Sequence, residues 1–251
     1  MIVPAHPAPG DPRGLWLAGV VLSLWLLSFL AVAWLPLSAQ TLPLAGIAVL
    51  VRTFLCTGLF ITAHDAMHGT LAPGRPRLND GAGALCALLF AGFSFGSLRK
   101  AHVAHHATPA RDGDPDWHDG HDPRFLAWLV AFGRRYVRWW QVLGIAAFHN
   151  VLVRVLGLPE PNLWLFVWLP PVLAALQLFT FGTFLPHRRP VHGHTNVHAA
   201  TSSDYPVWLS FLTCYHFGFH LTHHTFPWVP WWRLPEARRQ RLGRARLPLE
   251  R

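Results

Sequence analysis

Long apolar runs separated by short polar turns organise this chain. Residues 15–37 contain no charged side chain, and residues 42–63 are interrupted only by Arg52. Each run is close to the ~20 residues that a helix needs to cross a bilayer core. Pro36 and Pro43 punctuate the turn between them. Residues 139–158 and 163–185 form a second apolar pair, joined by the tight turn Leu158-Pro-Glu-Pro161. Pro170 and Pro171 inside the last run predict a kink, because proline removes a helical N–H and crowds the preceding turn. Residues 82–98 are apolar but short and glycine-rich, which predicts a partly inserted segment. Residues 125–136 are amphipathic and run into Arg134, Arg135 and Arg138. The expected fold is an all-α integral membrane protein with about four transmembrane helices, forming a single domain over residues 1–251.

Composition supports that class. The chain is 52% hydrophobic and 13% charged, whereas soluble domains carry about 25% charged residues. Its net charge of +9 comes without an aromatic-basic RNA motif or a zinc finger, so no nucleic-acid partner is expected. The basic residues flank the apolar runs instead, and many of the 13 tryptophans lie near their ends, as topology control and interfacial anchoring require. Residues 1–13 show no cleavage-site pattern, and 15–37 is too long for a signal peptide's apolar region. Cys56, Cys86 and Cys214 are scattered and read as apolar fillers. Arg99, Lys100, Arg134, Arg135, Arg138, Arg188, Arg189 and the arginine-rich tail should share the cytoplasmic side, with Arg52 and Arg154 near the other face. Four spans then put both termini in the cytoplasm. Residues 187–204 read as a polar loop, and 236–251 as a solvated or membrane-surface tail.

The candidate chemistry is histidine. His64 and His68 sit four residues apart, and His102/His105/His106 and His220/His223/His224 repeat a His-x-x-His-His spacing. On a helix these offsets share one face; His216 lies one turn before His220. All three clusters fall at the expected cytoplasmic side. Neutral imidazole is the commonest metal ligand, and such crowding is costly for structure alone. A lone His6, His118, His121 or His149 reads as exposed or hydrogen-bonded. His192, His194 and His198 read as solvated or substrate-entry residues. One zinc takes about four ligands, so eight imidazoles imply two metals. Soluble di-iron proteins use Glu and Glu-x-x-His pairs, but Glu160, Glu236 and Glu250 match no such motif. A di-iron centre here would be built almost entirely from histidine. Iron is favoured because imidazole suits it and open positions admit O2; copper, zinc and manganese stay open. A histidine-rich metal transporter stays open as an alternative of another class, although it should place polar ligands along a midplane path, which these spans lack. Asp65 is a natural partner for a ligand imidazole N–H.

The boxes and their surroundings resemble the membrane fatty-acid desaturase/hydroxylase superfamily and, within it, the bacterial β-carotene ketolases. The resemblance is carried by Ala63-His-Asp-Ala-Met-His-Gly69, Asp114-Pro-Asp116, Phe181-Gly-Thr-Phe-Leu-Pro-His-Arg188, Leu212-Thr-Cys-Tyr-His-Phe-Gly-Phe-His220 running into His223-His224, and Pro227-Trp-Val-Pro-Trp-Trp-Arg-Leu-Pro235. It implies a histidine-rich di-iron cap at the cytoplasmic face of a bacterial inner membrane. Its ligands would be His64, His68, His102, His105, His106, His187, His220, His223 and His224, with His216 either a further ligand or a support behind one. Asp65, Asp114 and Asp116 would orient ligands, although Asp-Pro-Asp is also a common turn. The implied reaction uses two iron ions and O2 to convert the C4 methylene of a β-ionone ring to a ketone, taking β-carotene to echinenone and canthaxanthin in carotenoid and astaxanthin biosynthesis. The alternative within the same resemblance is a carotenoid 3-hydroxylase or a lipid desaturase on the same scaffold. The polyene substrate would enter sideways from the bilayer, past Phe93, Phe95, Phe181, Phe184, Phe217 and Phe219. The chain has no Gly-x-Gly-x-x-Gly fingerprint and no cysteine run for an iron–sulfur cluster. Electrons are therefore expected from a ferredoxin or flavoprotein reductase docking on the basic face.

Overall fold

The computed structural model of the protein describes residues 4–118, 120 and 122–245, and every regular element among them is a helix. Helices α1 (Arg13–Val32) and α2 (Leu42–Met67) form a hairpin. Its turn is held by Thr41, whose Oγ1 donates to Pro36 O at 2.6 Å and accepts from Ser38 N at 2.9 Å. Leu24, Leu27 and Leu30 of α1 point outward, as a helix apolar on all sides does when lipid surrounds it. The second half of α2 is enclosed, with Leu59, Ile61, Ala63 and Ala66 fully buried, and it forms the axis of the main core.

Helix α3 (Pro76–Ala91) packs across the end of α2. Asn79 Nδ2 donates to Ala66 O at 2.8 Å, and Gly83 sits where a Cβ would come within 2.6 Å of both the Ala66 methyl and the Phe95 ring. Glycine is what permits that close crossing. Gly92, at φ +70°, ends α3 in the left-handed conformation common at helix termini. Ser94 then caps α4 (Phe95–Ala107), accepting from Ser97 N. The two helices meet at 98°. The segment expected as one insertion over 82–98 is thus two helices with a sharp corner.

Helices α5 (Phe125–Tyr136) and α6 (Trp139–Arg154) follow. The crossing expected over 139–158 stops at Arg154; its 16 residues span about 24 Å, short of the ~30 Å hydrocarbon core. Among the described residues three helices are long and apolar enough to cross a membrane: α1, α2 and α7 (Glu160–His187). The count becomes four if the bent α3–α4 pair is one broken span. In α7 the prolines are absorbed by π-helical stretches, Trp164–Trp168 just before Pro170 and Phe179–Phe184 just before Pro186, and the helix continues through both. A π turn shifts the hydrogen-bond register where a proline cannot donate. Arg52, expected near the outer face, is instead buried at 1% exposure inside the α1–α2–α7 packing. Asn162 Nδ2 ties the start of α7 to the end of α1 through Val32 O, Ala33 O and Leu35 O.

Helices α8 (Val207–Cys214), α9 (His220–Thr225) and α10 (Leu234–Ala245) complete the fold. The start of the tail expected as a solvated or membrane-surface segment is docked on the fold. Leu234 and Ala237 are buried with Phe219, Phe226 and Val229, and Arg238 lies 4.7 Å from the Phe219 ring centre while donating to Asp204. Residues 246–251 of that tail lie outside the described residues. Cys56, Cys86 and Cys214 are free and buried, in keeping with packing roles.

Candidate metal centre

The ends of α2, α4 and α7 and the short helix α9 converge, and each brings histidines to the meeting point. His64 and His68 share a face of α2, where His64 is in the last turn and His68 is the C-cap. His102, His105 and His106 occupy the last turns of α4, His187 ends α7, and His220, His223 and His224 span α9. Eight of these side chains form two groups of four. His64, His68, His102 and His223 make one; His105, His187, His220 and His224 make the other. In each group the donor atoms lie within 4.8 Å of one another. The second and third boxes are split between the groups, because neighbours on a helical turn diverge enough to face different centres.

The imidazole nitrogens face inward at close range. Nε2···Nε2 separations are 2.7 Å for His68–His102, 3.2 Å for His64–His223, 3.1 Å for His105–His224, and 2.9 Å for both His187–His220 and His220–His224. Several of these rings are committed by their outer nitrogen. His105 Nδ1–H donates to the Asp114 carboxylate at 3.0 Å, His187 Nδ1–H to Ala199 O at 2.9 Å, and His64 Nδ1–H faces Asp65 at 3.4 Å. Each bond leaves the Nε2 lone pair pointing into the group, as partners of metal-bound histidines do. A hydrogen can reconcile one facing pair of nitrogens, whereas a cation accepts from all four. Metal–nitrogen bonds of about 2.0–2.1 Å place opposite ligands within the observed spread, so the donor set fits two metal ions.

Electrostatics favour the neutral ligand form. Burial, reinforced by neighbouring imidazoles, holds His220, His223 and His224 well below the usual imidazole range. Asp114 also accepts from Ala110 N and Asp116 N, each at 2.8 Å, so the Asp-Pro-Asp turn and the support of His105 are one arrangement. Asp116 lies 3.8 Å from His105 Nδ1 and accepts from the Tyr136 hydroxyl. Burial pushes its carboxyl up, against the opposing pull of His105. Asp65 accepts from Trp231 N at 3.1 Å, anchoring the end of α2 to the chain before α10.

Two of the expected ligands stand outside the groups of four. His106 lies between them, its Nε2 3.0 Å from that of His223 and its ring stacked on His224 at 4.2 Å. His216 is not brought to the cluster: its ring packs with Phe211, Phe219 and Trp231, and its buried Nδ1 has no hydrogen-bond partner. The expectation that it shares a face with His220 required one continuous helix. Tyr215 and His216, at φ 48° and 64°, break the helix there. In the 187–204 loop, the His198 ring approaches His224 at 5.8 Å and His194 Nε2 donates to His187 O at 3.3 Å. His149 Nδ1 accepts from Trp168 Nε1; His121 lies outside the described residues. Glu160 and Glu236 pair with His149 and Arg233, away from the centre.

An apolar cavity adjoins the metal-ligand candidates. His64 and His102 of one group and His105 and His220 of the other line it, with Asp116 and Tyr136. Of the six phenylalanines expected there, Phe93 and Phe217 line it. Phe95 packs under Arg99, Phe181 on Tyr205, Phe184 on Phe125 and Trp128, and Phe219 under Arg238. Phe60, Phe90 and Phe132 take their places, together with Met67 and Gly182. No periodic signal marks these residues, because they come from four different elements. Phe217 sits closest to the histidines, with ring centres 4.7 Å from His64 and 5.2 Å from His220.

Comparison with known proteins places the chain in context. The sequence model for the family described as fatty acid desaturase matches residues 39–154 and 133–249. The chain is 42% identical to a β-carotene ketolase of Paracoccus sp. strain N81106 over 242 aligned positions, covering 93% of this chain and 97% of that protein. It is 38% identical to a β-carotene ketolase of Haematococcus lacustris, covering 93% and 81% respectively. A zeaxanthin 4-ketolase of Chlamydomonas reinhardtii is 38% identical, covering 97% of this chain and 57% of that protein.

Proposed function

The chain belongs to the fatty acid desaturase family, alongside the β-carotene ketolases, and from that premise we infer that it is an O2-dependent carotenoid 4-ketolase. It is a membrane-bound oxidoreductase that converts a β-ionone ring methylene to a ketone. The observation that carries the reading is the apolar cavity lined by two histidines from each group of four.

We assign His64, His68, His102 and His223 to one iron and His105, His187, His220 and His224 to the other, with His106 between them. Bound there, the two irons supply the O2 activation needed to break a ring C–H bond, which no side chain can do. The chain's residues do the rest. Asp114, Asp65 and the Ala199 carbonyl hold the imidazoles in the Nδ1–H form with Nε2 inward. Phe217, Phe93, Phe90 and Phe60 enclose the ring in a site that excludes water, and the cavity leads the C4 methylene toward the histidines. Ketone formation consumes two O2, four electrons and four protons per methylene and releases three waters, the last on collapse of the gem-diol. The electrons come from a ferredoxin or reductase. The boxes share a side with Arg99, Lys100, Arg134, Arg138, Arg188 and Arg189, which supports a cytoplasmic centre in a bacterial inner membrane. Residues 1–251 act as one domain, since the main core around α2 abuts both groups.

Expression in a β-carotene-producing host tests the activity: echinenone and canthaxanthin are expected, and zeaxanthin or an unsaturated lipid as the product would overturn it. Metal analysis of the purified protein tests the site, with two irons per chain expected.

A further inference from the structure

A second pocket shares a wall with the substrate cavity but has the opposite chemistry. Phe93, Leu98 and Tyr136 line both. Beyond them the second pocket is bounded by Ser94 and Ser97 at the start of α4 and by Arg134, Arg135, Arg138 and Trp140 around the α5–α6 junction, and among the described residues no acidic side chain lines it. Among the described residues Arg13, Arg99, Arg124 and Arg238 each meet an aspartate, whereas Arg134 and Arg138 have no carboxylate partner. Arg135 is already engaged, donating to Pro115 O and Trp117 O, so the Arg134 and Arg138 guanidinium groups and the two hydroxyls around this space form a receptor for a phosphate-like anion.

The surroundings identify the source of that anion. Trp139 is 75% exposed and Leu143 60% on α6, and Leu126 is 71% exposed on α5. An apolar surface with a tryptophan pair directly beside arginines is the composition of a bilayer interface. An ion dissolved in water would not need that apolar skirt, whereas a phospholipid would use it for its acyl chains. We propose that this pocket binds the headgroup phosphate of an anionic phospholipid, whose chains lie along the exposed face of α6. The lipid would seat beside the wall that Tyr136 closes, with the Tyr136 hydroxyl directed inward to Asp116.

The test uses the full chain, reconstituted in nanodiscs of phosphatidylcholine with or without phosphatidylglycerol, with retained lipid read by native mass spectrometry. Wild type should retain phosphatidylglycerol in preference to phosphatidylcholine. The double variant Arg134→Gln/Arg138→Gln should hold it about thirtyfold more weakly, the sum expected for two arginines near an anionic surface. The double variant Arg134→Lys/Arg138→Lys should recover most of that retention. Arg188→Gln/Arg189→Gln, which removes equal charge elsewhere, should retain lipid as wild type does. Equal retention of both lipids by wild type, or equal loss in the Arg188/Arg189 control, would overturn the proposal. So would binding of inorganic phosphate in detergent as tight as that of phosphatidylglycerol, which would make this a site for free anions. If the Arg134/Arg138 variant keeps its lipid but needs more ferredoxin for turnover, the pocket docks a protein and the proposal is wrong.

Discussion

Arg52 donates through Nε to the carbonyl oxygen of Phe166. That carbonyl has no helical donor, because the residues four and five positions later are Pro170 and Pro171. Arg52 also donates to Trp25 O and Ser28 Oγ, both at 3.0 Å, and so joins three helices. A buried guanidinium without a carboxylate is tolerated here because prolines have freed an acceptor for it. Arg52→Leu should destabilise the protein by about 1–3 kcal/mol, the cost of an unsatisfied buried acceptor. Pro170→Ala restores a donor to α7, so the same Arg52 substitution should cost less in that background. Thermal unfolding of the four members of this double-mutant cycle in detergent measures the coupling.

Asp114 holds His105 through both carboxylate oxygens while anchoring its own loop. Asp114→Asn should reduce metal affinity roughly 10- to 100-fold, as loss of such a supporting partner does. Metal titration of the apoprotein checks this; unchanged affinity would mean the carboxylate only shapes the turn.

His187 and His216 lie on opposite sides of the ligand question. His187→Ala should lower iron content, because it removes a member of a group of four. His216→Phe, which keeps the stack on Phe219 and Trp231, should leave iron content at the wild-type level. Iron per chain in the two variants decides the assignment.

Gly182 has its backbone against the Phe217 ring, where a Cβ would come within 2.5 Å. Gly182→Ala should drive that ring into the cavity and lower kcat/KM on carotenoid about a hundredfold, the penalty for a misplacement near 1 Å, with iron content unchanged. Phe217→Leu, which frees space, should recover part of the activity in the double variant. Steady-state kinetics alongside metal analysis separates this from a folding defect.

Burial pushes the His216 imidazole down to about 4. The unfolded chain takes up this proton below about 6.5, while the folded chain takes it up only near 4. His216 therefore favours folding above about 6.5, and its contribution is lost as pH falls across that window. Unfolding midpoints between pH 7 and 4 should fall less steeply in His216→Phe than in wild type; parallel slopes would contradict the burial effect.

Much of the centre is legible in one dimension. His64/His68, His102/His105/His106 and His220/His223/His224 each lie within about one helical turn, so spacing alone places them on common faces, and the apolar runs place those faces at the ends of helices. The three boxes do not announce how they divide. Assigning His102 to one group and His105 to the other depends on the directions in which α2, α4, α7 and α9 meet. Spacing alone leaves His216 between ligand and support, because two left-handed residues, Tyr215 and His216, interrupt what periodicity treats as a continuous turn. Phe60, Phe90 and Phe132 carry no linear signal that separates a cavity wall from a lipid-facing surface.

The sequence by itself determined the helical membrane class, the histidine boxes and the family to which they belong, because those depend on hydrophobic runs and on spacings within single turns. Only the tertiary structure decided the division into two groups of four, the exclusion of His216, the cavity wall and the partner of Arg52. Each of these depends on contacts between elements distant along the chain, as in the Arg52–Phe166 pair 114 residues apart. Such contacts are set by the corner at Gly92, the close approach at Gly83 and the π turns before the prolines of α7.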